Sequence, residues 1–87
     1  MKVLWFPLQP GETEIKTNAR FFRGLAAGVD RNDALCMWAE VSGESSAERT
    51  LYYTVVGTGE ELRDDSQFVA TVFDFPYVWH VYKVFKD

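Results

Sequence analysis

A chain of 87 residues and 10.0 kDa has room for one hydrophobic core and not two, because a chain of this size withdraws only roughly 60–65% of its unfolded surface on folding. Hydrophobic residues at 47% and aromatics at 16% exclude a disordered chain, whose apolar content cannot offset the ordering entropy. The net charge of −4 and pI near 4.9 argue against nucleic acid as a partner, since phosphates call for a basic face.

Cys36 is the single cysteine and closes no intrachain disulfide. The opening segment Met1–Pro7 is too short in its apolar run for a signal peptide, and no stretch approaches the roughly 20 apolar residues of a membrane helix. One domain over residues 1–87, in a reducing cytoplasm and without a membrane span, is the expectation.

Apolar positions recur at period two, and β-branched and aromatic residues abound, so strands are predicted nearly throughout. The first covers residues 2–8 and is closed by Gln9-Pro10-Gly11, where proline and glycine mark a turn. A short strand follows at 13–17, then one at 21–29. Asp30-Arg31-Asn32-Asp33 ends it with residues that tolerate left-handed backbone. The return strand is 34–41, with Leu35, Met37, Ala39 and Val41 on one face and Cys36, Trp38 and Glu40 on the other. The small polar stretch 42–47 reads as a loop. Strand 49–56 carries bulk on both faces, which predicts a central position.

Gly57-Thr58-Gly59 breaks the pattern, and 60–67 is polar except for Leu62. Glu60 and Glu61 would suit the N-terminus of a single helical turn there. Residues 68–75 and 77–85, split at Pro76, read as a final hairpin. Six or seven short antiparallel strands predict a mainly β fold, a small β-sandwich or open barrel. The alternative is α+β, with one short helix on an antiparallel sheet. In that case 19–28 would be the helix, weakened by Gly24 and Gly28.

No motif commits the chain to catalysis. Gly57-Thr58-Gly59-Glu60-Glu61 lacks the Lys-Ser/Thr of a phosphate loop and reads as a tight strand exit. His80 is the only histidine, and neither it nor Cys36 stands at metal-ligand spacing to other donors. A Cys36–His80 nucleophile pair would require the two to meet in space, whereas Cys36 lies in an apolar run where a free thiol behaves as a small hydrophobe. His80, between Trp79 and Val81, reads as a hydrogen-bonded sheet residue. The mixed segments Arg20-Phe21-Phe22-Arg23 and Tyr82-Lys83-Val84-Phe85-Lys86 are of a kind that stacks single-stranded bases. Leu25 and Ala27, however, stand where an RNA-recognition strand would carry aromatics. No enzyme, metal or cofactor is expected.

Four segments taken in order and spacing carry a resemblance: Leu35-Cys36-Met37-Trp38-Ala39-Glu40-Val41, Val55-Val56-Gly57-Thr58-Gly59, Phe68-Val69-Ala70-Thr71-Val72 and Val78-Trp79-His80-Val81-Tyr82. Together they resemble a family of small, uncharacterised phage-encoded proteins. Where that family has Gly-Thr-Gly-His, this chain has Gly57-Thr58-Gly59-Glu60. The resemblance implies a phage accessory protein in the host bacterial cytoplasm and assigns no activity to particular residues.

The 14 aromatic residues (3 Trp, 4 Tyr, 7 Phe) exceed what one inner layer of so small a fold needs, so some are expected at the surface as contact groups. The expected function is therefore non-enzymatic: protein–protein interaction with a bacterial host protein, in host takeover or defence inhibition. A homo-oligomer, most simply a homodimer through sheet edges, is expected as well. Two other readings stand beside this one. A small-ligand binder would hold a nucleotide-like molecule against Trp38, Tyr52, Trp79 and Tyr82; a minor virion structural protein is the other. The acidic residues Glu60, Glu61, Asp64 and Asp65 are candidate partner contacts.

Overall fold

The period-two pattern is realised as seven strands in a computed structural model that describes residues 1–86. They are β1 (Lys2–Pro7), β2 (Gly11–Thr17), β3 (Phe21–Val29), β4 (Leu35–Ser42), β5 (Arg49–Gly57), β6 (Gln67–Asp74) and β7 (Tyr77–Val84). All pairings are antiparallel. A three-stranded sheet has the order β1-β4-β3, and a four-stranded sheet the order β2-β5-β7-β6. No helix occurs among the described residues, so the α+β alternative fails and the fold is a small β-sandwich or open barrel. Residues 60–66 are irregular, with a turn at 64–65 and no helical turn, and Gln67 already belongs to β6. With only Leu62 to bury, a helix there would have no apolar face to pack.

Turn chemistry sets the β3–β4 hairpin. The Asp30 carboxylate accepts hydrogen bonds from the backbone N–H of Asn32 (2.8 Å) and Ala34 (3.1 Å), while Asp33 takes φ of 59°. β5 lies between β2 and β7, the central position that bulk on both faces predicts. At its exit Gly59 adopts φ of +94°, a conformation open to glycine and costly for a residue with a Cβ.

The two sheets meet where β3 runs against β6. Each of these strands carries an irregularity there, between Gly24 and Ala26 and between Phe68 and Ala70. Gly24 is required by the close approach: a Cβ at that position would lie 3.2 Å from Val69 Cγ1 and 3.3 Å from Met37 Sδ. Leu8, Ile15, Met37, Leu51, Tyr53, Val55, Val72 and Val81 form the buried cluster between the sheets, with Phe6, Phe22 and Trp79 packed against it. Val55, Val72 and Val81 thus share one core.

Trp38, expected from the sequence to lie in one core with these three valines, does not share it. β4 turns Met37 inward, fully buried, and Trp38 outward beside Trp5 and Ala26. The indole lies over Gly28, where a Cβ would come within 3.4 Å of its ring.

Candidate functional site

The β6–β7 hairpin gathers the largest share of aromatic surface. In β7 the alternation that buries Val81 also places Tyr77 and Trp79 on the inner side of the sheet. At the hairpin end their rings stack, with centroids 5.5 Å apart and planes 21° apart. On the opposite side Phe73 and Phe75 approach with centroids at 6.0 Å. The turn between the strands is Phe75-Pro76, joined by a cis peptide. Phe73 is 66% exposed, Phe75 80% and Tyr77 58%, and Asp74 is the one charged residue between 73 and 79. The strands hold two aromatic pairs at this tip, and of the four rings only Trp79 packs against the core.

Beside this tip the 57–60 turn is anchored by His80. The Glu60 N–H donates to the Gly57 carbonyl at 3.1 Å. His80 Nε2 lies 2.9 Å from Thr58 Oγ1, and Nδ1 lies 3.1 Å from Thr71 Oγ1. In a neutral ring one nitrogen donates and the other accepts, and each threonine hydroxyl can take the complementary role. His80 therefore ties the turn to β6 as a hydrogen-bonded sheet residue. On one side of the turn, Gly57, Thr58, Glu60, Pro76, Tyr77, Val78 and Trp79 line an open depression of about 360 Å³. On the other, His80, Tyr82, Leu62 and the same turn line one of about 210 Å³.

A model for a domain of unknown function, DUF7352, matches residues 1–87. The chain belongs to the DUF7352 family. No curated protein and no solved structure is detectably similar to it.

Within this DUF7352 domain the four aromatic residues expected to line a ligand site do not converge. Trp38 is on the outer face of the three-stranded sheet, and Trp79 is on the inner side at the hairpin tip. Tyr52 and Tyr82 are on the outer face of the four-stranded sheet. Even these two border different depressions, Tyr82 that of His80 and Tyr52 a shallow one with Lys83, Phe85 and Lys86. Lys86 Nζ stands 4.4 Å above the Tyr52 ring.

Cys36 and His80 are likewise apart, on the outward faces of different sheets, so they cannot act as a nucleophile and base. The Cys36 thiol is fully buried and donates to the Gly28 carbonyl at 3.6 Å. Burial and, to a lesser degree, the Asp30 charge push its pKa up, against hydrogen bonds donated to the sulfur by the Trp5 side chain and the Gly28 backbone. Such a thiol is protonated and poorly nucleophilic at neutral pH.

Glu60, Glu61, Asp64 and Asp65 are all exposed on the 58–66 loop. Arg63 pairs with Asp65 through two hydrogen bonds, Nε to Oδ1 at 3.1 Å and Nη2 to Oδ2 at 2.9 Å. The remaining three carboxylates face solvent.

Phe73, Phe75 and Tyr77 were not legible as candidates from strand alternation alone. The available signal is the run Phe73-Asp74-Phe75-Pro76-Tyr77. A turn centred on proline leaves its flanking side chains without a sheet to cover them, so three aromatics within five residues of a turn are bound for the surface.

Proposed function

We propose that this protein is a non-enzymatic interaction module whose contact surface is the aromatic end of the β6–β7 hairpin. The carrying observation is the exposure of Phe73, Phe75 and Tyr77 at the end of a hydrogen-bonded two-stranded support. Aromatic side chains dominate the buried centres of protein interfaces, and a hydrogen-bonded support limits the ordering cost of binding. The two neighbouring depressions are open to solvent, whereas small-molecule sites enclose most of their ligand in about 300–1,000 Å³. That difference favours a protein partner over a nucleotide-like ligand.

The finer reading is a phage accessory protein that occludes a bacterial host protein in the host cytoplasm, in host takeover or defence inhibition. Its support is the resemblance carried by the β4, β5, β6 and β7 segments. The test is parallel capture from bacterial lysate with the full chain and with a Phe73→Ser, Phe75→Ser, Tyr77→Ser variant whose fold is checked by circular dichroism. A partner retained by the wild type and lost by the variant is expected. Equal retention by both would remove the hairpin end from the contact.

A further inference from the structure

With β3 against β6, the two sheets are left with two free edges, β1 and β2. The β2 edge carries Glu12, Glu14 and Lys16, and Lys86 Nζ donates to Glu12 Oε1 at 2.6 Å. Charged side chains along an edge discourage a further strand from pairing there. β1 has no such protection between its ends. Val3, Leu4, Trp5 and Phe6 follow one another, with charge only at Lys2. Val3 is 60%, Leu4 41% and Trp5 49% exposed.

The direction of the β1 backbone follows from its register. Leu8 N–H donates to the Leu35 carbonyl at 3.0 Å, and the β1–β4 pairing runs from Lys2↔Val41 to Pro7↔Cys36. Hydrogen-bonded pairs alternate along an antiparallel ladder. Lys2, Leu4 and Phe6 therefore turn their backbone groups toward β4, and Val3, Trp5 and Pro7 turn theirs to the free edge. Only Val3 and Trp5 offer both a donor and an acceptor there, because proline has no N–H.

We propose that β1 is a self-association edge: two copies of the chain pair β1 with β1 antiparallel about a two-fold axis at Leu4. The two three-stranded sheets then become one of six strands. In this register Val3 of each copy faces Trp5 of the other, and both pairs exchange N–H and C=O, giving four hydrogen bonds. Moving the axis to Trp5 sets Val3 against Pro7, which has no N–H to donate.

Side chains agree with the same register. Val3 and Trp5 make a β-branched/aromatic cross-strand pair on the outer face, of the kind that stabilises sheets. On the inner side, Leu4 of the second copy stands against Leu4 of the first, at the groove of about 350 Å³ that Lys2, Leu4, Asn18, Val41 and Glu44 help to line. Charge is compatible too. Each Lys2 faces Phe6 of the other copy, so the two ammonium groups sit at opposite ends of the strand pair, about 13 Å apart for four residues of rise. That exceeds the screening length of about 8 Å at physiological salt. A six-residue strand on each side is small beside the roughly 20–30 residues a side of a standard interface, so the dimer is weak and concentration-dependent. This inference does not rest on the hairpin contact, which lies on other strands.

Sedimentation velocity on the full chain from about 1 μM to 1 mM tests it, and a monomer–dimer equilibrium is expected across that range. Val3→Pro removes a donor that the monomer does not use and should weaken dimerisation at least tenfold with an unchanged circular dichroism spectrum. Trp5→Lys, which charges the edge and leaves the backbone alone, should do the same and serves if the proline variant fails to fold. Leu4→Cys should cross-link to its copy on oxidation, since facing residues of a non-hydrogen-bonded pair have Cα atoms about 4.5 Å apart, within disulfide reach. Lys2→Cys should not. A single monomeric species throughout, a dimer that survives both edge variants, or cross-linking at Lys2→Cys in place of Leu4→Cys would overturn the proposal.

Discussion

Raising the pH from about 10 to 12 is expected to destabilise this protein through one phenol, that of Tyr53. Its side chain is 1% exposed, pointing between the sheets from the centre of β5. Burial pushes its pKa from 10.0 up to about 12, against the pull of the positive charge on Arg49. In the unfolded chain the same phenol ionises near 10. Below that value both states hold the proton, and the contribution is fully present. Between the two values the unfolded state releases its proton first and is favoured, so stability falls as pH rises.

Two units at about 1.36 kcal/mol each give roughly 2.7 kcal/mol, and solvent screening reduces this to on the order of 1–2 kcal/mol. Lys83, paired with Tyr53 across β5 and β7, acts in the opposite sense. Burial, then the Arg49 charge, lowers its pKa, so its charged form costs stability that returns as pH rises through its own range. Urea titrations of wild type and Tyr53→Phe at about pH 8, 10 and 12 separate the two effects. Cys36 contributes equally to both proteins, and repeating the comparison in a Lys83→Gln background removes the coupling of Tyr53 to its cross-strand neighbour. The wild type should lose on the order of 1–2 kcal/mol more than the variant between about pH 9.5 and 12. Parallel curves would refute the burial of this hydroxyl as the source of alkaline sensitivity.

Met37→Ala deletes a fully buried side chain beside Gly24 of β3, and should cost about 2–5 kcal/mol in urea denaturation. A loss under about 1 kcal/mol would mean that the sheets close over the site without it. Replacing Glu60 and Glu61 by Gln and Asp64 and Asp65 by Asn should shift stability by no more than about 0.5 kcal/mol per site. The exposed Arg63–Asp65 pair adds at most about 1 kcal/mol to that. The same variant should bind the captured partner at an unchanged rate; a slower, less salt-dependent association would make the acidic loop a steering surface.

Strands and turns were legible because each is written locally. Alternation over 49–56, Pro10-Gly11 after β1, Asp30 and Asp33 at the β3–β4 turn and Pro76 at the last hairpin each state their own geometry. The polar stretch after Gly59 was legible as a loop for the same reason. Its one helical feature, acidic residues at a would-be N-terminus, had no apolar stripe behind it.

Which face of a strand is inside was not written locally. In β4 the set Leu35, Met37, Ala39, Val41 and the set Cys36, Trp38 are both apolar, and period two only divides them. Residue size points to Trp38 as the core member. The decision lies in the neighbour across the sheets: Gly24 on β3 and Val69 on β6 leave a space between the layers that Met37 fills. Trp38 instead has Gly28 and Ala26 beside it on the outer face, small enough to let an indole lie flat. The same reasoning explains why the aromatic surplus could be counted but not placed. An aromatic residue in a strand goes to whichever side its cross-strand neighbours leave open, and those neighbours are remote in sequence. Phe75 escapes this dependence because it lies in the turn, and Phe73 and Tyr77 sit at the strand ends that flank it; these are the residues on which the proposed contact rests.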